Sequence, residues 1–355
     1  MIRLIPGQPL PEPQSPYDAQ ALDFCQKWRA GQGVFTLQTS GSTGKPKPIK
    51  LTRQQLIASA RMTGDTFGLM PGDHALCCLN VAYIAGIMML VRAMELNLLL
   101  TVVEPSTHPL KNLNSQEPLD FAAFVPLQLQ TILENPAENL PILHPMKAIL
   151  VGGATVSATL ETAIQAIEAP VFSTYGMTET VSHVATRRLN GVERSERYHL
   201  LEGVGAGSDD RACLWVRGAI TNEEIIQTND VVKWVDTQTF DWLGRFDNII
   251  NSGGVKVQPE RIENAAEVAL RRVGFSGRFF VFGLPDERLG QQVALVVEGA
   301  PLTLAQQISV DESLREGLSA YEAPRRWVAV REFFETPTGK IDKRKTVEKF
   351  TESAD

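Results

Sequence analysis

Short apolar runs alternate with amphipathic segments along the first half of the chain. The apolar runs have strand length, and the intervening segments repeat apolar residues at helical spacing. The predicted strands are 34–38, 75–79, 98–103, 121–125, 148–151 and 171–173. The predicted helices are 18–30, 53–67 with Thr52 as cap, 84–95, 126–134 and 157–167. Strands that alternate with helices predict an α/β fold in which parallel sheet is covered on both faces.

The pattern changes in the second half of the chain. Short strands and turns between 204 and 242 predict a small β subdomain. A compact α+β segment follows, with predicted helices at 259–272 and 311–318 and predicted strands at 279–282 and 293–297. The chain therefore reads as a large domain of layered parallel sheets with a small β subdomain, followed by a smaller α+β domain.

Composition narrows the class of partner. The 355 residues are 43% hydrophobic and 21% charged, with a formal net charge of −7, which argues against nucleic acid or an anionic membrane as a partner. Four cysteines without metal-like spacing favour reduced thiols in a cytoplasmic protein. The most apolar stretch, 77–103, contains Arg92 and Glu95, so we expect no membrane insertion.

One loop of small, hydroxylated and flexible residues ends in two lysines. Glycines let backbone N–H groups converge on an anion, and hydroxyls and lysines add donors and positive charge for phosphate. A Walker loop is excluded, since Thr39 takes the place of its first glycine and Pro46 that of its hydroxyl residue. A plain surface linker is the alternative. The loop consists of Thr39, Ser40, Gly41, Ser42, Thr43, Gly44, Lys45, Pro46 and Lys47.

This loop and a second segment, Tyr175-Gly176-Met177-Thr178-Glu179-Thr180, resemble motifs of the acyl-adenylate-forming superfamily of acyl-CoA synthetases, adenylation domains and luciferases. The resemblance implies an ATP site in which Tyr175 lies beside adenine, Thr178 lies near the α-phosphate and Glu179 binds Mg²⁺. Mg²⁺ prefers hard oxygen ligands and keeps most of its waters, so one carboxylate and the ATP phosphates suffice. The small residues Gly152, Gly153 and Ala154 resemble the stretch against which adenine lies, although a plain strand-to-helix turn is as good an explanation.

Further matches lie toward the C-terminus. Asp230, in a Thr-Asn-Asp variant of the family's ribose-binding motif, is implied to bind the ribose hydroxyls, and Arg245 to bind ribose or phosphate. Asp247 holds the family's hinge position, and it could equally be a turn residue or a helix cap. Lys340, in Pro-Thr-Gly-Lys, is implied to hold the reacting carboxylate and the α-phosphate. The loop formed by Ser252, Gly253, Gly254 and Lys256 resembles the loop on the CoA side. Pro259, with Glu260 and Glu263 nearby, also fits a plain helix start.

The resemblance also implies two domains with different roles. Residues 1–246 correspond to the AMP-binding adenylation domain with a shortened N-terminus, and residues 247–355 to a mobile C-terminal domain carrying the catalytic lysine. Typical members have a much longer segment before the phosphate loop, so we expect a homodimer or a partner to compensate.

Three segments of the sequence are similar to the o-succinylbenzoate–CoA ligases of menaquinone biosynthesis. The matching segments are 83–92, 175–183 and 242–257. The implied substrates are ATP, coenzyme A and a small carboxylic acid with a second carboxylate, which Arg92 would bind. The alternative is that Arg92 pairs with Glu95, three residues along the same helix. The expected acyl pocket comprises Tyr83, Gly86, Arg92, Ser182 and His183.

Three functions remain open at this point. The first is a two-step ligase that makes an acyl-adenylate and then a CoA thioester. The second is an adenylating enzyme that takes another aryl or acyl acid and delivers it to CoA or to a separate carrier protein. The third is a non-catalytic nucleotide-binding remnant, which the joint presence of Glu179, Asp230, Arg245 and Lys340 disfavours.

Overall fold

The computed structural model describes residues 1–38, 48–113, 117–335 and 341–352. Its strands are β1 (Ile2–Leu4), β2 (Val34–Gln38), β3 (Pro48–Thr52), β4 (His74–Cys77), β5 (Leu99–Val102), β6 (Phe121–Phe124), β7 (Ala148–Val151), β8 (Val171–Gly176), β9 (His183–Arg188), β10 (Tyr198–Leu200), β11 (Gly205–Ser208), β12 (Cys213–Arg217), β13 (Ile226–Trp234), β14 (Thr239–Arg245), β15 (Ile250–Ser252), β16 (Val255–Val257), β17 (Phe279–Asp286), β18 (Gly290–Glu298) and β19 (Arg326–Val330). Its helices are α1 (Pro16–Arg29), α2 (Arg53–Phe67), α3 (Ile84–Leu96), α4 (Pro126–Leu133), α5 (Pro136–Leu143), α6 (Ala158–Ile164), α7 (Pro259–Arg272), α8 (Leu304–Arg315) and α9 (Lys343–Glu352).

A twelve-stranded mixed sheet forms the larger part of the molecule, in the order β1-β5-β4-β6-β7-β8-β9-β10-β14-β13-β12-β11. Strands β5, β4, β6, β7 and β8 are parallel, and β9 pairs antiparallel with β8. The predicted α/β class is confirmed. The predicted small β region is continuous with the parallel sheet, because the β8–β9 pairing joins the two.

Helices cover both faces of the parallel strands, as the pattern predicted. One core contains Leu22, Leu56 and Leu90 from α1, α2 and α3. The other contains residues of α4, α5 and α6, such as Leu129 and Leu160. Side chains of successive strand residues point to opposite faces, so each strand serves both cores. Within the described residues, no helix is long and apolar enough to cross a membrane.

Capping residues set several helix starts. Thr52 caps α2 as predicted, and its hydroxyl and the Gln55 side chain form a reciprocal capping box. Thr303 does the same for α8 with Gln306. The prediction of a helix at 311–318 was therefore wrong in its bounds, because the capping signal at Thr303 starts the helix seven residues earlier.

The C-terminal part has its own sheet, in the order β16-β15-β18-β17, with β19 parallel to β18. Helices α7 and α8 cover one face, and Val347 of α9 packs in the core on the other. A single 3-10 turn, Phe246–Asn248, joins β14 of the large sheet to β15 of the small one. The change from the large sheet to the small one thus occurs at this turn.

Candidate functional site

Several of the predicted site residues lie where neighbouring parallel strands end. Gly152, Gly153 and Ala154 follow β7, Tyr175 and Gly176 end β8, and Tyr83 is the N-cap of α3 after β4. The carboxyl edge of a parallel sheet is the place where α/β folds bind ligands. Strand order thus brings together segments that are nearly a hundred residues apart in the sequence.

Close packing explains one glycine of this stretch and backbone conformation explains the next. A Cβ on Gly152 would collide with the Thr174 hydroxyl of β8, and Gly153 has a φ of +84°. Gly153 and Ala154 are exposed, so a smooth backbone surface lies open at the end of β7. Such a surface suits a flat ring, as the resemblance to the adenine-binding stretch implied.

The carboxylate of Asp230 organises the antiparallel end of the site. Tyr175 donates its hydroxyl to Oδ2 at 2.8 Å, and Trp242 donates its indole N–H to Oδ1 at 3.1 Å. Burial, reinforced by the Asp230 charge, raises the pKa of Tyr175, so its phenol remains a donor. Asp230 is itself buried and donates its backbone N–H to Thr228 Oγ1 at 3.0 Å. Sequence reasoning had missed the contact of Trp242, since only strand pairing places it beside Asp230.

The Thr178–Thr180 segment forms a 3-10 turn directly after Met177. Thr178 is buried, whereas Glu179 is exposed and has no hydrogen bond or ion pair to any described residue. No group of three or more His, Cys, Asp or Glu side chains that could hold a metal occurs in the described ranges. Glu179 is thus a single available hard-oxygen ligand, which fits a cation bound mainly through nucleotide phosphates and water.

Arg92 is buried in α3 without a carboxylate partner among the described residues. It donates to Thr63 Oγ1 at 3.1 Å and to Ser182 Oγ at 2.6 Å, and lies 3.6 Å from the sulfur of Met89. Burial lowers the pKa of its guanidinium to about 10, so the group is charged at neutral pH. A buried positive charge held only by neutral groups is costly and is typical of a site for an anionic ligand.

The alternative that Arg92 pairs with Glu95 was wrong. Glu95 binds Arg61 of α2 instead, with a distance of 2.6 Å between Nη2 and Oε1. Arg61 is exposed and can turn toward the surface carboxylate, whereas Arg92 points into the protein. Helical spacing made both partners possible, and the packing of α2 on α3 decided between them.

The other four residues of the expected acyl pocket lie near Arg92 or at the start of its helix. Ser182 Oγ is 3.1 Å from Nδ1 of His183, so a chain of contacts runs from Arg92 through Ser182 to His183. A Cβ on Gly86 would stand 2.5 Å from the Asn80 carbonyl, so α3 starts in close contact with the loop after β4. Tyr83 is half-buried at that start and makes no capping bond.

The residues expected at the domain junction interact with one another. Arg245 donates to both carboxylate oxygens of Asp247, at 3.0 and 2.9 Å. This bidentate bond is the main cause that raises the pKa of Arg245. Asn248 donates to Glu260 of α7 at 2.7 Å. Asp247, the predicted hinge residue, therefore forms an ion pair at the turn.

The loop expected on the CoA side is the turn of the β15–β16 hairpin. Gly253 and Gly254 form the turn, and the Lys256 ammonium lies 5.8 Å from the ring centre of Phe246. Ser252 is fully buried, so its hydroxyl does not offer a surface contact in this domain arrangement. The predicted phosphate loop, with Thr39, Ser40, Gly41, Ser42, Thr43, Gly44 and Lys45, and the predicted catalytic Lys340 lie outside the described residues.

Comparison with known proteins extends this picture. A model of the family described as AMP-binding enzyme matches residues 5–206. The probable 2-succinylbenzoate–CoA ligase of Mycobacterium tuberculosis (strain H37Rv) is 30% identical over 346 residues, which cover 91% of this chain and 86% of that protein.

Solved structures give the same fold. The acyl-CoA synthetase (AMP-forming)/AMP-acid ligase II-like protein from Dyadobacter fermentans is 46% identical with a TM-score of 0.64, and the match covers 96% of both chains. The o-succinylbenzoate coenzyme A synthetase from Bacillus subtilis, in complex with ATP and magnesium ion, has a TM-score of 0.74 at 19% identity. That match covers 88% of this chain and 69% of the other, and at this identity it supports the fold alone.

Proposed function

The chain belongs to the AMP-binding enzyme family and is an enzyme of the AMP-forming acyl-CoA synthetase type, and from that premise we propose that it converts 2-succinylbenzoate to its CoA thioester. ATP would activate the aliphatic carboxylate, and coenzyme A would accept the acyl group. The place of such an enzyme is the biosynthesis of menaquinone, as in the ligases that the sequence resembles.

The observation that carries this proposal is the buried guanidinium of Arg92. Among described residues it contacts two hydroxyls and a thioether but no carboxylate. A substrate with a second, non-reacting carboxylate would supply the missing negative charge. An acid with one carboxylate would lose its negative charge when that carboxylate is activated, and Arg92 would then remain unpaired. An unpaired buried charge is unfavourable in a pocket without water.

Two displacements make up the chemistry. In the first, a substrate carboxylate oxygen attacks the α-phosphorus of ATP, the bond from that phosphorus to the bridging oxygen breaks, and pyrophosphate leaves. In the second, the sulfur of CoA attacks the acyl carbon, the bond to the adenylate oxygen breaks, AMP leaves with those electrons, and the thiol proton passes to solvent. Each step needs in-line positioning and stabilisation of growing negative charge.

We assign roles to the chain's own residues on this basis. Asp230 and Arg245 would hold the ribose, Gly152 to Ala154 and Tyr175 would flank the adenine, and Thr178 would lie near the α-phosphate. Glu179 would hold Mg²⁺, which neutralises charge on the phosphates when bound. Lys340 would hold the carboxylate beside the α-phosphate, and the turn that contains Gly253 and Gly254, with Lys256, would face CoA.

Pyrophosphate release provides the test. Purified protein is supplied with ATP, Mg²⁺ and 2-succinylbenzoate, with and without CoA, and pyrophosphate and the thioester are measured. We expect slow or single-turnover pyrophosphate release without CoA and sustained release with thioester formation when CoA is present. Sustained turnover of simple fatty or benzoic acids in preference to the diacid would contradict the substrate assignment. No pyrophosphate with any acid would favour a nucleotide-binding remnant, and adenylate formation that CoA does not discharge would favour a carrier protein as acceptor.

A further inference from the structure

A chain of polar contacts ends at a buried nitrogen that has no hydrogen-bond partner among the described residues. Arg92 Nη2 lies 2.6 Å from Ser182 Oγ, which lies 3.1 Å from His183 Nδ1. The other ring nitrogen of His183, Nε2, is buried and makes no hydrogen bond to any residue that the structure describes. Buried polar atoms in native proteins almost always have partners, so this one requires an explanation.

The directions of the bonds in this chain fix the tautomer of His183. A guanidinium only donates, so Ser182 Oγ accepts from Arg92. Among described residues, Nδ1 of His183 is the acceptor available to the Ser182 hydroxyl hydrogen. The positive charge of Arg92 also favours a lone pair over an N–H on the side of the ring that faces it. The proton of the neutral imidazole therefore sits on Nε2.

The surroundings of His183 keep the ring neutral. Burial, followed by the charge of Arg92, lowers its pKa well below the usual value. The ring of Phe67 lies 6.0 Å away between ring centres, and Phe67 in turn packs on Phe172 and Phe121. Nε2 is thus a fixed, neutral N–H donor in apolar surroundings.

The backbone before this pair is held in an unusual conformation. Val181 has a φ of +66° and a ψ of −55°, which is rare for a β-branched residue. Its side chain is fully buried in the core with α1, α2 and α3. Strained residues that packing holds in place are concentrated at ligand sites, and this one sets the direction of Ser182 and His183.

We propose that His183 donates its Nε2 hydrogen to a neutral carbonyl oxygen of the acyl substrate, and so selects a keto acid. The inference rests on the proposed function and deepens it, since 2-succinylbenzoate has a keto group between its ring and its chain. Arg92 binds the non-reacting carboxylate of such a molecule, and His183 donates a hydrogen bond to its keto oxygen. A neutral acceptor suits the aromatic surroundings better than a second charge would.

The first experiment changes only the ligand. Wild-type protein is assayed for pyrophosphate release with 2-succinylbenzoate and with the deoxo analogue, in which a methylene replaces the keto carbonyl. Both acids retain both carboxylates, so Arg92 treats them alike. We expect kcat/KM for the keto acid to be about tenfold higher, because the analogue leaves a buried donor unpaired.

The second experiment replaces His183 with two residues whose side-chain amides differ in length. The amide nitrogen of His183→Gln can stand near the position of Nε2, whereas that of His183→Asn reaches only about as far as Nδ1. We expect the keto-to-deoxo ratio to stay within about threefold of wild type in H183Q and to fall close to one in H183N. Thermal unfolding of each variant shows whether it is folded. Should neither variant fold, the wild-type comparison decides alone.

The possible outcomes distinguish the role of His183 from the proposed ligase function. A wild-type ratio near one, or a ratio that survives in folded H183N, overturns the role of His183 while the ligase assignment stands. Pyrophosphate release with neither diacid overturns both.

Discussion

Arg61 and Arg92 show how differently two identical side chains are used. Both reach the region between α2 and α3, but Arg61 takes the carboxylate of Glu95 at the surface and Arg92 is buried with Thr63 and Ser182. From the sequence, Glu95 was an equally good partner for Arg92. The distinction matters because only the buried guanidinium can pair strongly with a substrate anion.

Arg92→Ala should impair the use of a diacid far more than it impairs folding. A charge-assisted hydrogen bond in a desolvated pocket is worth about 1.5–3 kcal/mol, so kcat/KM for 2-succinylbenzoate should fall more than about tenfold. The measurement is pyrophosphate release over a range of acid concentrations.

Arg61→Ala is the matched control for this prediction. It removes an arginine of the same helix pair, yet it breaks only an exposed ion pair, which contributes little. Its kcat/KM should remain near that of wild type. An equal loss in both variants, or an unchanged diacid-to-monoacid preference in R92A, would assign Arg92 a structural role.

At the scale of elements, the connection from β8 to β9 carries much of the site. It contains the 3-10 turn with Glu179, the strained Val181 and the Ser182–His183 pair. Gly176 pairs with His183 across these strands, next to a shift in register after Tyr175. A short, tightly packed connection would thus position groups for both proposed substrates, the acid and the nucleotide.

Gly176→Ala should destabilise the protein and reduce activity together. The added Cβ would collide with the Ser182 carbonyl and approach His183 Cα to 2.6 Å, and backbone cannot yield as a side-chain end does. We expect the free energy of unfolding to fall by about 1–3 kcal/mol, measured by denaturant titration.

Gly33→Ala is the control for Gly176→Ala. It tests whether replacing any glycine before or within a strand lowers the stability to the same extent. A Cβ there meets no atom within 4 Å, so stability should change by no more than about 0.5 kcal/mol. If both variants retain wild-type stability, the close packing at Gly176 is not a requirement of the fold.

Periodicity and caps predicted most elements, because those signals are local. The strands at 34–38 and 148–151 and the helix at 259–272 have the predicted bounds. The bonds of Asp230 to Tyr175 and Trp242 could not be predicted, since they depend on how β8, β13 and β14 lie in one sheet. The strained Val181 was missed for a related reason, because its conformation is imposed by packing and contradicts its own preference.

At the scale of the whole molecule, two units with separate sheets meet at one turn. Besides the turn itself, Glu267 of α7 accepts from the backbone N–H of Ala158 at the start of α6, at 3.1 Å. Gly244 of β14 lies so close to Glu260 that a Cβ would collide with its carboxylate. Among the described residues, these are contacts that the proposed rotation of the C-terminal unit would have to break.

Lys340→Ala should separate the two half-reactions. The resemblance assigns this lysine to adenylate formation, so the first step should slow by about a hundredfold or more, with ATP binding largely intact. Thioester formation from chemically prepared acyl-adenylate should be nearly unchanged. Adenylate formation is measured as pyrophosphate release in a single turnover. A first step as fast as that of the wild type would contradict the assignment of Lys340.

Asp247→Pro should uncouple the same two steps by restricting the junction. Lys340 and the loop around Gly253 belong to one unit but are assigned to different steps, so that unit would have to rotate between them. Asp247 lies in a 3-10 turn, whose φ is close to the value that proline imposes. The substitution should therefore favour the arrangement seen here and slow whichever step needs the other one.

Asp247→Ala is the control for that experiment, since it also breaks the ion pair with Arg245 but leaves the backbone free. Rapid-quench measurements of adenylate formation and of thioester formation from adenylate are made on both variants. We expect D247A to slow the two steps to a similar, small extent, and D247P to slow one of them at least about tenfold more than the other. If D247P slows both equally, local distortion explains its effect. If it slows neither, the turn at Asp247 is not the axis of any motion that limits the reaction, and the two steps must be served by one arrangement of the units.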